Sequence, residues 1–272
     1  MNYISFLFHP ETNDQSEQLI AILSNLGFEG FEEDGETLKA FVPEANFDKD
    51  AFNELIDRFP SFTYQKEVIE PVNWNAQWES GFEPVTVDGL AVVRANFHDA
   101  IPGVKYDIII TPKMSFGTGH HATTYLMMQQ MGKLDFNNTS VFDFGTGTGV
   151  LAILAEKMGA SAVDAIDNDE WSIENGKENI EANGCTRINI YKAEQISPSR
   201  TYDIILANIN LNVILASLPA IANISKAGSI VLVSGFLKEN EAEMAQHLLE
   251  HGFVNINIFQ KGDWLCISCE KQ

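Results

Sequence analysis

Val141-Phe142-Asp143-Phe144-Gly145-Thr146-Gly147-Thr148-Gly149-Val150 runs from one apolar stretch, through three alternating glycines, into a second apolar stretch. The pattern predicts a buried strand, a tight turn and a helix. Glycine at the turn lets the backbone adopt positive φ and come close to a ligand, and the first turn of the helix behind it offers unpaired N–H donors. The spacing is GxGxG, not the GxGxxG of dinucleotide-binding turns. Asp167, twenty-two positions beyond Gly145, is the first acidic residue at the end of the next expected strand. A carboxylate there can accept both ribose hydroxyls of an adenosine.

Outward from this turn, apolar runs predict strands at Ser140 to Phe144, Ala162 to Asp167, Ile188 to Ala193, Tyr202 to Asn208, Gly228 to Gly235, Phe253 to Phe259 and Trp264 to Cys269. The segments between the first five read as helices, which makes the region doubly wound α/β. Only Gln260-Lys261-Gly262-Asp263 separate the last two strands, too few residues for a crossover helix, so these two form an antiparallel hairpin. The expected fold is therefore a seven-strand Rossmann-like methyltransferase sheet, mostly parallel with a C-terminal antiparallel hairpin. Its cofactor is expected to be S-adenosylmethionine and not a nicotinamide dinucleotide.

Asn208 closes the fourth strand, at the sheet edge where ligands of such folds bind. Its side-chain carbonyl suits a substrate N–H, which would turn the nitrogen lone pair toward a methyl donor. The alternative is an Asn that caps the following helix. Upstream, Gly117-Thr118-Gly119-His120-His121-Ala122-Thr123-Thr124 can fold over the cofactor, with Thr123 or Thr124 capping the next helix. Adjacent histidines diverge and have no local carboxylate or cysteine beside them, so no metal is expected.

Residues 1–70 follow the order βαββαβ: strands at Tyr3 to Phe8, Gly30 to Glu33, Thr37 to Val42 and Phe62 to Glu70, with helices at Gln15 to Leu26 and Asp50 to Phe59. That order builds a small α+β ferredoxin-like domain, with Asp34-Gly35-Glu36 as hairpin punctuation and Leu19, Ile20, Leu23 and Leu26 facing inward. The segment carries fifteen acidic and four basic side chains, so it holds more than half of the chain's net charge of −21. Such a surface repels bare nucleic acid and suits a basic protein partner. Residues 71–114, rich in Pro, Gly and aromatics, read as a linker and junction in which Trp74 and Trp78 pack, with one strand at Leu90 to Arg94. Residues 115–272 form the catalytic domain.

Cysteines 185, 266 and 269 provide no disulfide framework, and the Cys266-Ile267-Ser268-Cys269 spacing falls in a strand that sends its two thiols to opposite faces. With no basic leader at Met1-Asn2-Tyr3 and no apolar run near the ~20 residues of a membrane span, a cytoplasmic protein is expected.

The Gly117–Thr124 loop, the Asp-x-Gly-x-Gly-x-Gly turn, Asp167, Ala207-Asn208-Ile209, and Asn73-Trp74 with Trp78 together resemble the PrmA family, bacterial methyltransferases of large-subunit ribosomal protein L-eleven. The resemblance covers essentially the whole chain. It implies that the N-terminal domain recognises the ribosomal protein, that a flexible linker lets the catalytic domain reach several amines, and that lysine side chains and the N-terminal α-amine are trimethylated. It also implies cofactor contacts at Thr124, Gly145, Asp167 and Asn208; a monomer is expected, and the chemistry of Asn208 makes it the catalytic candidate. The chain departs from the family at Thr111-Pro112-Lys113-Met114-Ser115, where Asp-Pro-Gly is usual, and at Asn210-Leu211-Asn212, where small residues are usual. Alternatives are methylation of another basic protein or of an adenine amine, a non-catalytic ribosome-associated module that binds S-adenosylmethionine, and a dehydrogenase.

Overall fold

The computed structural model describes residues 2–10, 12–34, 37–58, 62–69, 83–113, 117–197 and 200–272. Two compact units divide the chain, Met1–Gly81 and Phe82–Gln272.

The first unit contains β1 (Tyr3–Phe8), α1 (Asn13–Asn25), β2 (Gly30–Asp34), β3 (Thr37–Pro43), α2 (Lys49–Arg58) and β4 (Tyr64–Ile69). Its sheet runs β2-β3-β1-β4 with every pair antiparallel, the ferredoxin-like order. Helix α1 begins two residues earlier than its apolar spacing predicts, because the Thr12 hydroxyl accepts the Gln15 N–H at 3.3 Å. Alternation along β1 buries Phe6 and Phe8 against Leu19 and Leu23 of α1 and Phe52 of α2, and the Phe6 and Phe52 ring centroids lie 4.5 Å apart. Gly35 and Glu36 lie outside the described residues, but Asp34 and Thr37 on either side pair directly.

The second unit opens with three short strands, β5 (Val85–Val87), β6 (Ala91–Arg94) and β7 (Tyr106–Ile109), in the order β5-β6-β7. Val87, Ala91, Val93, Ile108 and Ile110 share a core with Val150, Leu151 and Leu154, all within the unit Phe82–Gln272. Three- and four-residue strands are too short to show a period. Strand β6 falls within the strand expected at Leu90 to Arg94, and all four of its residues are buried. Trp74 and Trp78 lie outside the described residues.

The large sheet and its helices comprise α3 (Ala122–Met131), β8 (Ser140–Phe144), α4 (Val150–Lys157), β9 (Ala162–Asp167), α5 (Glu170–Ala182), β10 (Ile188–Lys192), β11 (Tyr202–Asn208), α6 (Leu211–Ile224), β12 (Ser225–Leu237), α7 (Glu241–Glu250), β13 (Phe253–Lys261) and β14 (Trp264–Lys271). Strand order is β10-β9-β8-β11-β12-β14-β13, and only β14 runs against its neighbours. The helix expected between β10 and β11 is absent from the described residues there, since the nine residues between Lys192 and Tyr202 are too few for a crossover helix. One core layer lies under α3 and α4, and the other under α6 and α7. Cys266 packs into the first and Cys269 into the second, both buried, and desolvation pushes each thiol up to about 12. No helix among the described residues is long and apolar enough to cross a membrane.

Candidate active site

Strand β8 lies at the centre of the sheet, and the chain leaves its C-terminal end through Gly145, Gly147 and Gly149, with φ of 73°, 54° and 80°. Each is in the region that favours glycine, and a Cβ on Gly145 would come within 2.1 Å of Ile209 Cγ2. The Gly145 and Thr146 N–H groups both donate to the Ile166 carbonyl at 2.9 Å, which ties the turn to the end of β9. Beneath the turn, the fully buried Asp143 accepts the Thr146 hydroxyl at 2.6 Å. Desolvation pushes its carboxyl up to about 7, against the pull of Thr146 and the Ala152 amide.

A cavity of about 370 Å³ opens over this turn, lined by His121, Thr123, Gly145, Gly147, Asp167, Ser172, Asn208, Ile209, Asn210, Gly235 and Trp264. A smaller one of about 150 Å³ shares Gly145, Asp167, Ile209 and Asn210, and adds Phe144, Ala193, Glu194 and Val213. The structure thus brings Gly145, Asp167 and Asn208 to one cavity. Thr124 stands behind it, fully buried, and its hydroxyl oxygen accepts the Asn208 Nδ2–H at 3.3 Å.

Asp167 is held by two backbone donors, Gly147 N–H to Oδ2 at 2.9 Å and Asp169 N–H to Oδ1 at 3.0 Å. Each carboxylate oxygen keeps a further lone pair for a hydroxyl. Asn208 is 8% exposed, and with Nδ2 turned to Thr124 its Oδ1 is buried without a partner. A buried acceptor left unpaired in this way costs about 1–3 kcal/mol, so the side chain is set for a donor that arrives from outside the chain. The helix-capping alternative belongs to Asn210, whose Oδ1 accepts the Val213 N–H at 3.1 Å.

Sequence reading missed five lining residues: His121, Ser172, Ile209, Gly235 and Trp264. His121, not Thr123 or Thr124, caps α3, with its Nδ1 accepting the Thr123 N–H at 3.3 Å. Its ring meets Trp264 edge to face at 4.5 Å and 70°, and burial lowers its pKa below the ordinary imidazole value. Gly235 sits at a bulge in β12 with φ of 105°, and a Cβ there would lie 1.9 Å from the Ile209 carbonyl oxygen. Among the described residues, no cluster of three His, Cys, Asp or Glu side chains could hold a metal.

The residues fit an adenosine-bearing sulfonium donor: a glycine turn at positive φ with no room for a Cβ at Gly145, a fixed carboxylate for a ribose, and an orphan acceptor at the far side of the same cavity. A sheet of this order with this site defines a class I S-adenosylmethionine-dependent methyltransferase. A methyltransferase from Pyrococcus furiosus shares the fold, with a TM-score of 0.52 at 18% identity over 60% of this chain and 88% of its own. Residues 11–272 match the family described as ribosomal protein L11 methyltransferase (PrmA). Relatives named ribosomal protein L11 methyltransferase include those of Chlorobaculum tepidum, 38% identical over 97% of this chain and 95% of theirs, and Phocaeicola vulgatus, 32% identical over 97% and 96%. A crystal structure of ribosomal protein L11 methylase from Lactobacillus delbrueckii subsp. bulgaricus covers 70% of this chain and all of its own, with a TM-score of 0.66 at 26% identity. The chain belongs to the PrmA family.

Proposed function

We propose that this protein transfers methyl groups from S-adenosylmethionine to amine nitrogens of ribosomal protein L11, on lysine side chains and the N-terminal α-amine. The observation that carries this reading is the buried, unpaired Oδ1 of Asn208, an acceptor suited to an N–H. Gly145 and Asp167 hold the donor, Asn208 borders its methyl group and orients the acceptor, Thr124 fixes the rotamer of Asn208, and the bound donor supplies an electrophilic methyl group on a sulfonium.

The attacking amine must be neutral. For a lysine of pKa ~10.4 that state costs about 4–5 kcal/mol at pH 7, and for an α-amine near ~7.8 about 1 kcal/mol. A partly desolvated pocket lowers an amine's pKa, and alignment of the reactants contributes up to about 7–11 kcal/mol, so orientation by Asn208 outweighs any dedicated base. The acidic segment 1–70 recognises the basic substrate and 71–114 connects it to the catalytic machinery of 115–272. The protein works as a cytoplasmic monomer, without direct nucleic-acid binding.

The test is transfer of labelled methyl to L11, to an unrelated basic protein and to DNA in one buffer, with peptide mass spectrometry of the products. Label on L11 amines is expected. Label that entered only DNA, or donor binding without any transfer, would sink the proposal.

A further inference from the structure

The cavity has an order along the sheet edge. Asp167 ends β9, Gly145 follows β8, Asn208 ends β11, and Gly235 lies in β12. Because β14 runs in the opposite sense, its first residue, Trp264, falls at the same edge, beyond Gly235. With strands ~4.8 Å apart, Asp167 and Trp264 stand roughly 20 Å apart along the edge, with Asn208 midway. The carboxylate end suits the donor. Past Asn208, the walls at the Trp264 end are chiefly apolar or aromatic: Gly235, Trp264 and the His121 ring packed edge-on against it.

An amine that accepts several methyl groups changes what it asks of its site. A primary ammonium has three N–H donors and a trimethylated one has none, so an acceptor such as Asn208 Oδ1 loses its grip as methylation proceeds. The charge remains, and an aromatic face attracts a cation whatever its substituents. Resting on the amine-methylation reading above, we propose that Trp264, braced by His121, holds the nitrogen once it carries methyl groups and so keeps it at the site for the later transfers. In each round the nitrogen lone pair forms the new N–C bond as the S–C bond breaks with its electron pair on sulfur. The first two products then lose a proton to solvent and regain a lone pair, while the third keeps its positive charge. Burial lowers the pKa of His121, which disfavours a repelling charge beside that cation.

Two measurements test this. The first needs neither donor nor L11: titration of the protein with choline and with its uncharged isostere 3,3-dimethyl-1-butanol, followed by NMR at the backbone N–H signals of the cavity residues Gly145, Asn208 and Gly235, which every variant keeps. Choline should bind about tenfold more tightly, and that ~1.4 kcal/mol lies within the cation–π range. In Trp264→Leu the preference should vanish, while Trp264→Phe should retain part of it. Equal binding of the two probes by the unsubstituted protein, or an undiminished preference in Trp264→Leu, overturns the proposal. The second is the product distribution on L11. Trp264→Leu should slow the second and third transfers more than the first, by about fivefold or more, and Trp264→Phe should restore them in part; equal slowing of all three overturns the proposal. If the unsubstituted protein transferred no methyl to L11, the functional reading would fall, and the choline titration would still decide the role of Trp264.

Discussion

The two ends of the cavity are made of different material. At the β9 end the contacts are backbone: three glycines at positive φ, two peptide N–H groups on Asp167, and a helix start behind them. At the β14 end they are side chains, Asn208, His121 and Trp264, drawn from three separate elements. A backbone cradle grips whatever shape fits it and tolerates no added atom, whereas a side-chain wall sets which acceptor approaches. The first end should therefore govern donor binding and the second turnover.

The largest effect is expected where the two ends meet. Gly235→Ala places a Cβ against the Ile209 carbonyl oxygen and pushes the backbone that follows Asn208 out of place. A shift of ~1 Å alone costs about 10²-fold, and with positive-φ strain added kcat/KM should fall by about 10³-fold. Steady-state kinetics would refute this if Gly235→Ala stayed within tenfold. Asn208→Ala comes next, with turnover down about 10²-fold and donor affinity changed less. Were donor Kd to weaken as much as kcat, Asn208 would belong to the donor end. Asp167→Asn should do the reverse, weakening donor binding by about 10–100-fold in calorimetry while turnover at saturating donor changes less.

A separate effect concerns stability and not turnover. The Asp143 carboxyl is raised from 3.8 to about 7, so between those values the folded chain holds a proton that the unfolded chain has released. Stability therefore falls as pH rises from about 4 to about 7, by up to roughly 4 kcal/mol, and levels off above. Asp143→Asn should flatten that fall in denaturant midpoints measured at pH 5 and pH 8. An unchanged slope would show that the backbone end sits on an ordinary carboxylate.

The same division decides how much could be read from the sequence. The backbone end is contiguous and made of residues with narrow conformational uses, so Gly145 and Asp167 stand out with no structure in hand. The side-chain end is assembled by topology. Trp264 comes to the cavity only because β14 runs antiparallel beside β12, and His121 only because its imidazole caps α3. Thr124 was legible from its loop, although it acts from behind Asn208 and not from the cavity wall. Strands β5 and β7 escaped notice because elements this short leave no period to detect, whereas the apolar run at Leu90 to Arg94 anticipated β6. The helix expected before β11 failed on length alone.

The two cysteines of β14 give this sheet a built-in clock. Cys266 faces one packed layer and Cys269 the other, each thiol pushed up to about 12 by its surroundings. Neither can meet an alkylating reagent while its layer stays shut. The rate at which both become modified therefore times the loosening of the sheet on both faces. The half-buried Cys185, elsewhere in the same unit, supplies the faster hand against which that slow one is read.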